Sequence, residues 1–474
     1  MDLRKKRLLN DTLILTIGSF SSKFLTLLLI PLYSFYFSAS EFGEYDIYIT
    51  FASMLYIFFS FQSVEAGFRF IQDVSEDRDK KKVITNSFAI AIIGIIIYSI
   101  TLIIFDFYFN FIYTTIFFFY VSTSIISNLF LHTMRGLGYT KQFAIIGIYS
   151  TLITIIINII FIIVLKYGAI ALLITPIVVN IAIIFLTLLH WNFFVYISKN
   201  NLDLDEIKVQ LRYSIPLIPN ALSLWLFSSI GRFVLIIFYS TSTVGLFAFA
   251  MKFPMLLATV SSIFFMAWQL AATKNYQANK NDKFEEEIFD VYSGLMIGSL
   301  FIILPIIKIT YIYLIGDDFK DSWLYVPFFF MGILFKSFAQ FFEISFMAAK
   351  RTSEVFMGTF IAALLYLILS LLLVSKFYIF GVGIAFVISE IIHFIFIKKR
   401  SNKIKYTSIN KNKLILRIIF LILWTILFYI FEFNYQFLFL ILGILMFLYI
   451  NFNVFILVLK SLNKIIKNKL KKGV

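Results

Sequence analysis

The chain has 474 residues, 61% hydrophobic and 14% charged, with a formal net charge of +15 and no cysteine. That balance departs from soluble globular usage and indicates a membrane protein with many spans. The missing cysteines exclude disulfides, thiolate metal sites and a cysteine nucleophile.

A hydrocarbon core of about 30 Å asks for roughly 20 apolar residues per helix, and such runs follow one another here with short polar connections. Fourteen helices are expected, at 12–37, 45–71, 84–105, 107–133, 143–165, 169–195, 213–239, 244–270, 291–315, 323–348, 355–375, 379–397, 414–431 and 435–459. The expected fold class is an all-α integral membrane protein. The opening "MDLRKKRLLNDTLILTIGSF" is basic and then apolar, like a signal sequence. Its run is long and lacks an Ala-x-Ala cleavage pattern, so it is expected to remain as the first helix.

With the N-terminus inside, lysine and arginine crowd the inner segments, while the outer connections carry Lys166, Lys320 and Lys376. That bias predicts both termini on the cytoplasmic side. It also accounts for the positive charge by attraction to an anionic leaflet rather than to nucleic acid. In the tail, Leu459, Leu462, Ile466 and Leu470 can share one face of an interfacial helix; a solvated tail is the alternative.

Six helices return a chain to its starting side, so a duplicated unit would give parallel repeats about an axis along the membrane normal. "FYFSASEFGEY" (35–45) matches "IFYSTSTVGLF" (237–247), aligning Ser38, Ser40 and Gly43 with Ser240, Ser242 and Gly245. "YGAIA" (167–171) resembles "FGVGIA" (380–385) at a similar offset. The expected organisation is a six-helix bundle over 1–195, a cytoplasmic linker 196–212 and a second bundle 213–397. A basic linker 398–413, two appended helices over 414–459 and a basic tail 460–474 follow.

Lys23, Arg69, Arg232, Lys252, Lys308, Lys336 and Arg417 remain inside the expected spans. Each costs about 2.5–3.5 kcal/mol at a bilayer centre on insertion scales, so a full set facing lipid is untenable. Arg69 and Arg417 lie within one turn of helix ends and can snorkel. Lys23 lies about 16 Å into the first helix at 1.5 Å per residue, and Lys252 and Lys336 are also deep. Arg232 and Lys308 lie about two turns from the outer interface. Glu65, Glu343 and Glu390 are the main acids at depth, with Glu65 four residues before Arg69, where a helical pair forms. The interior is expected to be net positive. Two readings stand open: structural pairing between the repeats, or a water-filled cationic lumen for an anionic substrate. His393, three residues after Glu390, could with it carry a coupling proton; ordinary helix packing is the alternative.

Serine, threonine and asparagine at depth, as in "NALSLWLFSS" (220–229), suit interhelical hydrogen bonds or a polar cavity wall. "DDFKD" (317–321) has a magnesium-like spacing but stands alone in an outer loop. No glycine-rich phosphate loop, nucleophile elbow or metal-ligand cluster appears, so no cofactor or metal is expected and the chain reads as a transporter rather than an enzyme.

The stretch "YSIPLIPNALSLWLFSSIGRFVLIIFYSTSTVGLFAFAMKFPMLLATVSSIFFMAWQLAA" (213–272), with "GSFSSKFLTLLLIPLYSFYFSASEFGEYDIYITF" near the N-terminus and "MRGLGYTKQF" (134–143), resembles the polysaccharide transporters of the multidrug/oligosaccharidyl-lipid/polysaccharide (MOP) exporter superfamily, most closely the Wzx-type O-antigen and capsule-repeat flippases. The resemblance implies two six-helix bundles around a cationic cavity. It implies movement of an undecaprenyl-diphosphate-linked oligosaccharide from the inner to the outer leaflet of a bacterial cytoplasmic membrane, beside a polysaccharide polymerase machinery. Lys23 and Arg232 match basic lumen positions of that family, and Lys252 its "K-x-P" segment. Lys308 and Lys336 join them as candidate substrate-binding cations, and Glu65, Arg69, Glu390 and His393 are candidate coupling or gating residues, with H+ or Na+ as the coupling ion. Gly231 stands where many relatives place an acidic residue, so Arg232 is expected to lack its usual partner; Ala267 and Trp268 lack the proline that often follows. A cationic-drug exporter would want an acidic interior. A peptidoglycan-precursor flippase shares the diphosphate cargo, and a glycosyltransferase or polymerase would need catalytic carboxylates or a large outer loop.

Overall fold

The computed structural model describes residues 25, 27–190, 193–277, 284–349, 351–404, 408–431 and 435–452. Its regular elements are all helices. In chain order they are α1 (Leu29–Tyr36), α2 (Ala39–Phe59), α3 (Ser63–Asp73), α4 (Asp77–Phe109), α5 (Thr114–Gly136), α6 (Thr140–Ile159), α7 (Ile170–His190), α8 (Leu204–Ser214), α9 (Leu217–Phe238), α10 (Thr241–Lys252), α11 (Pro254–Gln277), α12 (Phe284–Leu314), α13 (Val326–Ala348), α14 (Thr352–Ser401), α15 (Lys411–Ile430) and α16 (Gln436–Ile450). A helix satisfies its backbone within itself, which is what an apolar solvent demands.

Among the described residues nine helices are long and apolar enough to cross a membrane, or up to 11 if each bent pair is one span. The expected count of fourteen is not reached that way. The first expected helix lies largely outside the described residues, α14 counts once, and α16 is shorter than the rest. α14 is broken at Tyr378 (φ 57°, ψ −137°), and its two arms fall on the expected eleventh and twelfth helices. A side chain at Gly381 would put its Cβ 2.5 Å from the Leu373 carbonyl oxygen, so the close approach of the arms requires glycine there.

The two bent pairs have different local causes. α2 and α3 meet at 48° across Phe61 and Gln62, both left-handed. α10 and α11 meet at 42° where Pro254 follows Phe253, because proline removes a donor and pushes the preceding residue out of helical geometry. Both pairs are the second helix of an expected repeat. α2 starts from a capping box in which the Ser38 hydroxyl accepts from the Glu41 N–H and the Glu41 carboxylate accepts from the Ser38 N–H. Ser240 stands correspondingly before α10, accepting from the Thr243 N–H at 3.5 Å.

The chain divides into two compact units, Met1–Gly245 and Leu246–Val474. In the first, Ile84, Ala91, Tyr98, Val121, Ile125 and Leu129 are buried where α4 meets α5. The expected linker 196–212 is strapped to the start of α4. Asn86 Nδ2 donates to the Asn201 carbonyl (3.0 Å) and its Oδ1 accepts from the Asp203 N–H (3.0 Å). Thr85 Oγ1 donates to the Tyr196 carbonyl (3.0 Å), and Gln210 Nε2 donates to the Val83 carbonyl (3.2 Å). Phe193 packs against Phe88 and Phe130 with ring centroids 4.7 and 4.3 Å apart.

The core of the second unit is aromatic, with Phe289, Phe338, Phe341 and Phe342 buried between α12 and α13. The appended helices α15 and α16 pack on α12: a Cβ at Gly443 would meet the Phe301 carbonyl oxygen at 2.1 Å, and Trp424 stacks on Phe439 at 3.9 Å. Arg417, expected to snorkel, is instead 6% exposed and turned inward. Its Nη1 donates to Asp290 Oδ1 (2.8 Å), the Asp290 carbonyl (3.0 Å) and Ser293 Oγ (3.1 Å). A partner on another helix made the inward route better than the interface.

Candidate functional site

The intramembrane charges fall into three settings, each governed by what the neighbouring helix offers. The first is a seam along one face of α2, whose residues 40, 43, 46, 50 and 53 recur at helical spacing. At its start the Ser40 and Thr241 hydroxyls are 2.7 Å apart. At Gly43 a Cβ would lie 1.8 Å from the Thr241 carbonyl oxygen, and at Gly245 it would lie 1.8 Å from that of Ala39. The two copies of the sequence repeat therefore cross backbone to backbone, and glycine is needed at both. One turn further along α2, Asp46, 7% exposed, pairs with the Arg232 guanidinium of α9. Arg232 Nη2 reaches Asp46 Oδ1 at 3.4 Å, while Nη1 donates to the Ser228 carbonyl at 2.9 Å. Beyond it Trp225 Nε1 donates to the Thr50 carbonyl (2.9 Å) and Ser53 Oγ (3.1 Å), and Phe233 packs edge-on to Phe51.

This corrects the expectation that Arg232 lacks its partner. Gly231 does remove the neighbouring acid, but α2 supplies one from 186 residues away. Asp46 does not stand out in the sequence, since "FGEYD" reads as a polar helix start. Its one signal was register, three residues after Gly43 in the repeat motif.

The second setting is a buried group in the other unit. His393 Nδ1 lies 3.0 Å from Glu390 Oε2, and His393 Nε2 lies 3.3 Å from Glu343 Oε1 of α13. The side chains of His393, Glu343 and Glu390 are 5%, 9% and 1% exposed. Glu390 Oε1 has no hydrogen-bond partner among the described residues. Two carboxylates from two helical segments therefore surround one imidazole in an apolar interior. The structure brings together the expected Glu390 and His393 and adds Glu343, which spacing could not have linked to them.

The third setting is structural. Lys308, 2% exposed, donates to the Phe428 and Phe431 carbonyls at 2.5 and 2.8 Å and sits 4.5 Å from the Trp323 ring centroid. Carbonyls at the end of α15 are free of intrahelical partners and carry partial negative charge, so this cation caps a helix. Arg69 pairs with Asp73 at 2.6 Å rather than with Glu65, both partners half exposed; Glu65 itself is exposed. Lys252 ends α10 just before the bend, and Lys336 lies on α13, each partly buried. Lys23 lies outside the described residues.

Arranged this way, the helices have the fold of MOP-superfamily transporters. The lipid II flippase MurJ in an inward closed conformation is 19% identical, with 93% of this chain and 98% of that one covered and a TM-score of 0.68. An inward-facing multidrug MATE transporter of the MOP superfamily is 14% identical, covering 81% and 96%, with a TM-score of 0.64. A mutant of the Vibrio cholerae MATE transporter VcmN is 14% identical, covering 84% and 96%, with a TM-score of 0.56. The model of the polysaccharide biosynthesis protein family matches residues 8–269, and the chain belongs to that family. Comparison with curated proteins finds no sequence match.

Proposed function

We propose that the protein flips an undecaprenyl-diphosphate-linked oligosaccharide repeat unit from the inner to the outer leaflet of a bacterial cytoplasmic membrane, for O-antigen or capsule synthesis. The observation that carries this reading is a polysaccharide biosynthesis family match on a MOP-type helical fold with a partly accessible arginine inside a span. The likeness to a lipid II flippase supports a lipid-linked cargo. Arg232, Lys252, Lys336 and Lys23 draw the diphosphate, while the polyprenyl chain stays in lipid. Lys308 is left out, because helix-end carbonyls already hold it. Both termini lie in the cytoplasm, and a polysaccharide polymerase takes up the product outside.

The two bundles, 1–195 and 213–397, alternate access to the headgroup. No bond is made or broken, so the protein is not an enzyme. H+ is the coupling ion in this reading, carried by Glu343, Glu390 and His393, which lie within reach of one another. Na+ is the alternative, separated by measuring transport under a pH gradient without sodium.

Deleting the gene and determining the mass and leaflet of the lipid-linked oligosaccharides tests the reading. Complete units trapped on the cytoplasmic face support it. Truncated units would indicate a transferase, complete units already outside a polymerase, accumulated peptidoglycan precursor a lipid II flippase, and an unchanged pool small-molecule export.

A further inference from the structure

We propose that Asp46 is a built-in competitor for Arg232, which the anionic headgroup of the cargo must displace, so that binding the cargo unfastens the seam between α2 and the α9–α10 segment. The inference rests on the proposed diphosphate cargo and goes beyond it by naming the residue that links binding to movement.

A guanidinium presents a planar fork of donors that fits a carboxylate or a phosphate equally well in shape. A diphosphate carries more negative charge than one carboxylate and is the stronger ligand for the same fork. Accessibility favours exchange. The Arg232 side chain is 19% exposed and that of Asp46 10%, so the cation is the more accessible member of the pair. Once Arg232 turns to the headgroup, Asp46 is a desolvated carboxylate without its counter-charge, an arrangement that a protein interior does not tolerate. Asp46 then has to gain water, which loosens the face of α2 on which it sits.

The rest of the seam is built to let go. Gly43 and Gly245 cross by backbone contact without interlocking side chains. Ser40 and Thr241 add a hydroxyl pair, Trp225 a hydrogen bond to a carbonyl, and Asp46 with Arg232 the charged contact. Breaking the charged contact removes the strongest of these and leaves contacts of ordinary strength. The packing of α2 on this segment thus becomes conditional on whether Asp46 or the cargo holds Arg232.

The absence of cysteine makes the test direct. Ser40→Cys with Thr241→Cys, in the full chain in membrane vesicles, reports closure of the seam by the rate of oxidative cross-linking. Inorganic pyrophosphate is the probe, with sulfate at matched ionic strength as control. Pyrophosphate is expected to slow cross-linking several-fold, sulfate to leave it unchanged, and Arg232→Gln to abolish the response. Asp46→Asn is expected to tighten pyrophosphate binding by about tenfold, since it removes a competitor that holds most of the population. The cross-linking pair retains Asp46 and gives its answer whether or not Asp46→Asn folds. If pyrophosphate binds through Arg232 but cross-linking does not respond and Asp46→Asn binds no tighter, the competitor idea is wrong and the diphosphate reading survives. If neither pyrophosphate nor undecaprenyl diphosphate binds in an Arg232-dependent way, both are overturned.

Discussion

Arg232 and Arg417 are both arginines in helices that the sequence assigns to the membrane, both paired with an aspartate from another helix, yet they are held differently. Arg417 spends one nitrogen on three acceptors, Asp290 Oδ1, the Asp290 carbonyl and Ser293 Oγ. Its partner is shared with Lys413 at 2.7 Å, and its side chain is 7% exposed. Arg232 keeps about a fifth of its side chain accessible, with Asp46 as its charged partner. A buried charge ringed by fixed acceptors fastens one helix to another. A partly accessible charge whose charged partner is one carboxylate can be traded. Lys308, on two carbonyls and a tryptophan face, belongs with Arg417.

The largest effect expected from this contrast is on stability at the fastened site. Arg417→Ala leaves Asp290 with Lys413 alone, takes the Arg417 donor from Ser293 and undocks the start of α15 from α12. The expected loss is about 3 kcal/mol, in line with breaking one partner of a buried pair, read by thermal unfolding in detergent. Arg417→Lys should recover part of it, since a lysine reaches fewer acceptors. A loss no larger than that of an exposed ion pair would place Arg417 with the tradeable cations.

Arg232→Gln should invert that pattern, with at least a tenfold fall in transport and a stability loss smaller than at Arg417, because the pair is partly accessible and Asp46 can take up water in place of its lost counter-charge. Transport is read as the fraction of lipid-linked oligosaccharide reaching the outer leaflet. Loss of stability with transport intact would make the pair a fastener like Arg417, and the contrast would collapse.

The Gly43 crossing sharpens the comparison in a different way. Gly43→Ala places a methyl 1.8 Å from the Thr241 carbonyl oxygen, a backbone atom that can move only with its helix. Overpacking of this kind costs about 1–3 kcal/mol. It should act on the closed seam alone, so cysteines at 40 and 241 should cross-link more slowly even without an anion. An unchanged cross-linking rate would mean that the two helix starts are not held together by this contact.

Much of this architecture was legible in the sequence, and the exceptions share a cause. Apolar length located the helices because a bilayer imposes that length on any chain. The bend at Phe253 was written in Pro254, whereas the bend at Phe61 and Gln62 was not, since neither residue advertises a left-handed backbone. Glu390 and His393 could be paired because they are three residues apart on one helix. Asp46 with Arg232, Glu343 with His393 and Arg417 with Asp290 are each set by packing between distant segments, so local spacing could not reveal them. The repeat motif came nearest. It aligned Gly43 with Gly245 as equivalents, and the fold places those two residues against each other.

The smallest effect lies at the strap between α4 and the segment leading to α8, where charge and backbone contacts can be told apart. Lys82 Nζ donates to Asp203 Oδ2 at 2.6 Å, and this hydrogen bond, with one from the Asp205 N–H, holds the Asp203 carboxyl below its ordinary value of 3.8. A carboxyl depressed in the folded state stabilises that state above the unfolded value and stops doing so as pH falls through the folded one. The contribution should therefore be constant near neutral pH and fade below about pH 4. Asp203→Asn removes the charge at every pH, so hydrogen exchange of the Asp203 and Asp205 amides, corrected for intrinsic rates, should differ about threefold between the two proteins at pH 6 and converge towards pH 3. The difference stays small because the ion pair is exposed, while the Asn86 and Gln210 bonds to the backbone carry no charge and persist. Should the mutant lose the whole strap at pH 6, the ion pair and not those amides would be what holds the segment, and the ranking of buried polar contacts over exposed charge would fail where it is easiest to check.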